Sequence, residues 1–141
     1  MGKKDVHKLS TKAEPTFILF GISSHENDYR ISWALNEHLG FHFKKAENHK
    51  LLNQRLNEIQ EFSTYQYAQN DSSNTYRLIS NRCDNGFLIE ELKNIDFLLL
   101  IEEKESTISL SDLTAKIKSI PFVAAVFPIE LTSLKSRKKL F

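Results

Sequence analysis

The residues best suited to chemistry are two acids late in the chain, Glu91 and Asp96. Two carboxylates in one cleft, held in different environments, can divide general-acid and general-base work. On one strand their odd offset would point them to opposite faces, so a turn at Leu92 to Asn94 would have to bring them together. The plainer reading, and the favoured one, is that they cap that turn or pair with Lys or Arg. The five histidines make no metal set. His38 and His42 are split by Gly40, a helix stop, and His42 and His49 are again oddly offset. There is no His-Glu-x-x-His run and no cysteine pair. Cys83 is the single cysteine. No histidine is assignable as its base, so it reads as a structural thiol. No catalytic, metal or cofactor-binding residues are assigned.

Three stretches are better read as binding surfaces. The segment Ser23 to Arg30 follows an apolar run and opens a helix, a common ligand corner in α/β folds. Glu26 and Asp28 occupy the helix end that a phosphate would need, which disfavours an anion there. Tyr29, Arg30 and Trp33 could form an exposed recognition surface; the favoured alternative packs Tyr29 and Trp33 in the core. The C-terminal run Lys135, Arg137, Lys138 and Lys139 could touch RNA phosphates or an acidic partner, but reads first as a solvated tail. Tyr65, Tyr67 and Tyr76 resemble a stacking platform for single strands, with a half-buried sheet face as the stronger reading.

The elements that would position these residues follow from apolar patterning. Phe17–Ile22 is a continuous apolar run and reads as a buried strand. Ser23 and Glu26 have capping-box spacing. Ile31, Leu35 and Leu39 then mark a helix over 26–39 that stops at Gly40. Phe41–Phe43 starts a strand. Residues 44–61 fit a helix, through Leu52, Leu56 and Ile59, or a long hairpin arm. Phe62–Tyr67 and Tyr76–Ser80 read as strands around a turn at Asn70–Asn74. Asp84-Asn85-Gly86 predicts a type I′ hairpin. Ile95–Ile101 reads as a central strand, Leu113, Ile117 and Ile120 as a helix stripe ended by Pro121, and Phe122–Phe127 as a last strand ended by Pro128.

This order, β-α-β, hairpins, β-α-β, predicts an α/β (α+β) fold. The simplest layout is a ferredoxin-like two-layer sandwich, both helices on one face of a mostly antiparallel sheet, with an extra central hairpin. The alternative is a mixed sheet with helices on opposite faces. The 141 residues suffice for one domain with a core, expected over 15–130, with a flexible arm at 1–14 and a basic tail at 131–141. A net charge of +1 gives no global drive toward nucleic acid or membrane. One cysteine, no signal-like stretch and no apolar run of membrane-spanning length lead to a cytoplasmic expectation.

Residues Ile89 to Phe97 resemble the motif that names the bacterial IPExxxVDY family. Ile89, Glu91 and Asp96 match it, while Glu90, Ile95 and Phe97 stand for its Pro, Val and Tyr. Gly21–Arg30, Trp33–Asn36, Leu78–Asn81 and Leu134–Ser136 are also similar, so the resemblance runs from about residue 17 to the end. The family is uncharacterised, so the resemblance implies no catalytic residues. Phe97 cannot supply a hydroxyl, which implies a packing role at that position.

The expectation is therefore a non-catalytic interaction or regulatory domain acting on a protein partner or as a homodimer. Its candidate surface is Tyr29, Arg30, Glu91, Asp96, Lys135, Arg137, Lys138 and Lys139. RNA binding through the basic tail is the first alternative, and an enzyme using Glu91 and Asp96 the second.

Overall fold

The computed structural model describes residues 16–68, 74–105 and 108–141. The arm at 1–14 and most of the 70–74 turn lie outside the described residues. Six strands form one sheet, in the order β10 (Ala125–Ile129), β1 (Thr16–Ser23), β9 (Phe97–Glu103), β6 (Thr75–Ser80), β5 (Thr64–Ala68), β2 (Lys44–Lys45), every pair antiparallel. Helix α1 (Asp28–Leu39) follows β1, and α2 (Leu110–Lys118) links β9 to β10. Two small ribbons stand apart, β3 (His49–Asn53) with β4 (Glu58–Phe62), and β7 (Arg82–Cys83) with β8 (Gly86–Phe87).

The side-chain period of two sorts the central strands between two cores. Phe20 and Ile22 of β1, Phe97, Leu99 and Ile101 of β9, and Tyr76 and Leu78 of β6 face Ile31, Ala34 and Leu35 of α1 and Leu113 and Ile117 of α2. Both helices therefore cover the same face. Leu19, Leu98, Leu100 and Ile79 point the other way, toward Phe62, Leu88, Ile89, Ile95, Leu134 and Leu140. The apolar run Ile95–Ile101, expected to be central, is buried on both faces. The second face is covered by the β3–β4 arm, the β7–β8 ribbon and irregular chain. Gly21 lets this cover come close, because a Cβ there would meet Ile129 Cδ1 at 2.8 Å and Ile95 at 3.1 Å.

Several boundaries differ from the sequence reading for identifiable reasons. Helix α1 is capped by Asn27, whose side chain accepts from Arg30 N, and not by a Ser23–Glu26 box. Ser24 has other partners, described below. Gly40 closes the helix at φ 72°, as expected of a left-handed cap. Residues 44–61 form the hairpin arm, turning at 54–57 with Asn57 at φ 55°. Among the described non-glycine residues only Asn57 has positive φ, so the turn at Asp84-Asn85 is not type I′. Asn85 is tied instead to β4, its Nδ2 donating to Glu58 Oε1 (3.0 Å) and Ile59 O (3.4 Å). Strand β10 runs through Pro128, which an edge strand tolerates.

The segment expected as a solvated basic tail is packed. Leu134 and Leu140 are buried in the second core, and the Phe141 ring meets Phe17 edge-on at 4.9 Å. Arg77, on the central strand β6, donates from Nη1 to Leu140 O (3.0 Å) and from Nη2 to His49 Nδ1 (3.2 Å). Arginine has no acceptor, so His49 Nδ1 must accept and its Nε2–H donates to Lys139 O. Burial pulls the His49 imidazole below its usual 6.5; the hydrogen bond to Lys139 opposes this and the Arg77 charge adds to it. The two apolar anchors, not the four cations, decide where this segment sits.

Candidate functional site

The corner between β1 and α1 is built by hydrogen bonds from distant parts of the chain. Ser23 Oγ donates to Asn94 O (3.0 Å), and Ser24 N to Asp96 Oδ2 (2.8 Å). Ser24 Oγ donates to Phe122 O (2.7 Å) and accepts from Glu26 N (3.1 Å). Arg82 reaches in from the β7–β8 ribbon, with Nε on Asp96 Oδ1 (2.9 Å) and Nη2 on Lys93 O (3.2 Å). Its guanidinium also lies over the Phe87 ring at 5.3 Å. Asp28, at the start of α1, accepts from Ser63 Oγ. Ser23, Ser24, Asp28, Arg82, Asn94 and Asp96 line an open cleft of ≈ 600 Å³ that also holds His25, Glu26 and Ser80.

The chemistry of this cleft is architectural. The Ser24 hydroxyl spends its proton on a carbonyl and a lone pair on a backbone N–H, so it is not oriented by any base. Asp96 is committed to Arg82 and to the Ser24 backbone. Among the described residues, no group of three or more His, Cys, Asp or Glu side chains comes together that could hold a metal ion.

The structure does not bring Glu91 and Asp96 into one site. Glu91 accepts from Ser136 N (3.0 Å) and Ser136 Oγ (2.8 Å), which ties the short 3₁₀ turn Glu90–Leu92 to the C-terminal segment. What little burial it has raises its carboxyl, but hydrogen bonds with its own backbone, Ser136 and Lys135 outweigh that and hold it below the usual carboxylate value. Both acids therefore play the plainer role anticipated for them, one fastening a turn, the other paired with an arginine. The third motif match, Ile89, is fully buried. Its N–H donates to Asn81 Oδ1 (2.8 Å), and Asn81 Nδ2 in turn donates to Leu92 O (2.8 Å) and Ile95 O (3.0 Å). Cys83 Sγ donates to Asn85 Oδ1 (3.1 Å), a structural contact.

Beside the cleft, the outer face of α1 differs from expectation. Tyr29 is 66% exposed and Trp33 46% exposed, one turn apart. They were expected in the core, but the core stripe of this helix is taken by Ile31, Ala34 and Leu35. Arg30 lies between two aromatic rings, 5.9 Å from Trp33 and 5.1 Å from Phe122. The sheet tyrosines are placed the opposite way. Tyr65 and Tyr76 are buried beneath the helices, and Tyr67 stacks on Tyr76 at 5.2 Å, so they offer no open platform. Lys135, Arg137 and Lys138 remain exposed on the packed C-terminal segment; Lys139 lends its carbonyl to His49.

Sequence reasoning missed Arg82 and His25. No local pattern links Arg82 to Asp96, because the pair forms only when the β7–β8 ribbon closes over the start of β9. Among the described residues no helix is long and apolar enough to cross a membrane. Comparison with known proteins finds no matching family model, no matching curated relative and no matching solved structure.

Proposed function

We propose that this chain is a non-catalytic interaction domain that binds a protein partner through the outer face of α1. The observation that carries this reading is the exposure of Tyr29 and Trp33 around a stacked Arg30. Tyr, Trp and Arg are the side chains that dominate interface energetics, since each covers a large area with few rotamers to freeze. Cation–π stacking on Trp33 and Phe122 holds Arg30 in place before any partner arrives, which lowers the ordering cost of binding.

The test is capture of partners from the native lysate at high salt by the full chain and by Trp33→Ala and Tyr29→Ala. A stoichiometric protein retained by the wild type and lost with either substitution, at unchanged thermal stability, is the expected result. Equal recovery by all three would remove α1 from the argument. RNA bound by the exposed Lys135, Arg137 and Lys138 is the alternative. It would appear as nucleic acid recovered only at low salt.

Three further readings belong to this proposal. Membership of the IPExxxVDY family is supported by the work its matched residues do here. Ile89, Glu91 and Asp96 each fasten one segment to another, a sufficient reason for a motif with no catalysis. A ferredoxin-like core is supported by the order β10-β1-β9-β6, with β5 and β2 added at one edge. A cytoplasmic setting is supported by the single, unpaired Cys83.

A further inference from the structure

We propose that the outer face of the β3–β4 arm is a homodimer surface, on which a second copy of this chain lays its own arm across a two-fold axis running along the strands. The inner face of the arm is already used, with Phe62 and Gln60 buried and His49 and Leu51 half-buried. Strand alternation therefore puts Lys50, Leu52, Ile59 and Glu61 on the outer face. Leu52 is 55% exposed, Ile59 57%, and Leu56 at the turn 45%. Leu52 and Ile59 pair across the strands and Leu56 is exposed at the turn, so one hairpin presents three exposed aliphatic side chains, of the kind that mark an interaction site.

The pairing register identifies the occupant. Lys50 pairs with Glu61, and Leu52 with Ile59. A half-turn about an axis along the ribbon exchanges the two strands. Every β3 residue then faces, at the same height, the copy of its own β4 register partner. Lys50 meets Glu61 twice and Leu52 meets Ile59 twice, with the two Leu56 tips at the same end. The patch is thus complementary to itself in both charge and apolarity, as an isologous interface requires. The charges are free to be used in this way. Glu61 accepts one hydrogen bond, from Asn48 Nδ2 (3.3 Å), and Lys50 makes no ion pair among the described residues.

Sedimentation equilibrium on the full chain tests the proposal, over a concentration series reaching about 1 mM, the weak end of specific association. The wild type is expected to pass from monomer to dimer. Lys50→Glu and Glu61→Lys each set two like-charged contacts across the axis and are expected to weaken the dimer at least about tenfold. An equimolar mixture of the two variants is expected to dimerise again, because the two acids of one chain face the two bases of the other. Both positions are exposed, so circular dichroism should show an unchanged fold. A wild type that stays monomeric throughout, or a mixture no tighter than its separate components, overturns the proposal.

Discussion

On one face of the six-stranded sheet, α1 and α2 bury their apolar stripes against Phe20, Ile22, Leu99 and Ile101. On the other, a hairpin arm, a two-residue ribbon pair, the 3₁₀ turn Glu90–Leu92 and the C-terminal segment bury Leu19, Leu98 and Leu100 just as completely. The helices satisfy most of their own backbone groups, with Asn27 capping α1 and Asn36 tying Phe43 to it, so apolar contact does most of the holding. The irregular cover cannot do this and needs side chains to pair its backbone. Asn81, Arg77, His49, Gln60 and Glu91 all serve that purpose, each bonding to main-chain atoms or closing one segment on another. The same dryness is reached mainly through shape on one side and mainly through polar pins on the other.

Substitutions can break this contrast, and the largest effect is expected at a polar residue. Asn81→Ala leaves Ile89 N and Ile95 O without their buried partner, and Leu92 O with only Ile95 N, and should cost about 4 kcal/mol, at roughly 1–3 kcal/mol per stranded group. Urea unfolding measures it; a loss below about 1 kcal/mol would mean that polar pins do not hold the second face. Leu35→Ala, on the helical face, creates a cavity and should cost about 3 kcal/mol. Its loss should depend only on volume, so Leu35→Met should restore most of it, whereas Asn81→Leu should not rescue Asn81→Ala.

Two smaller effects are expected on the second face alone. Glu91→Ala removes the tie to Ser136 and should cost about 1 kcal/mol, since the carboxylate is exposed and screened. Amide exchange of residues 134–140 should quicken while that of α1 stays constant; equal quickening in α1 would show the two faces to be one cooperative unit. Acidification is the mildest probe. His49 is held neutral in the fold, so its contribution is complete above pH 6.5 and is lost as the pH falls from 6.5 toward its lowered native value. The C-terminal amides should exchange faster across that window in the wild type. A profile unchanged by His49→Gln would assign the effect elsewhere.

The parts of the fold legible in the sequence are those built by shape. Phe17–Ile22 and Ile95–Ile101 announce central strands by continuous apolarity, and Ile31–Leu35–Leu39 and Leu113–Ile117 announce helices by period. The second face was illegible because its determinants are single polar residues with distant partners. Nothing near Asn81 shows that it will bond to Ile89, Leu92 and Ile95, and nothing near Arg82 shows Asp96. The arm was ambiguous for a specific reason. Leu52, Leu56 and Ile59 have helical spacing, yet they sit outside a hairpin and face solvent. Trp33 misled through its type, since a large aromatic suggests burial and this one lies on the free side of its helix. In the C-terminal segment the four cations were conspicuous, and the two leucines that place it were not.

The sheet order also bears on how the chain is made. Among the described strands β1 is the first in sequence, and its two neighbours are the last two, with Leu19 lying between Leu100 and Ile129. During synthesis Phe17–Ile22 emerges long before either partner exists, a β-rich apolar segment with both edges open. Pairing at such sequence separation is slow even in a finished chain. Until β9 and β10 leave the ribosome, this stretch must be shielded by its own helix α1 or by a chaperone. The strand made first is the one completed last.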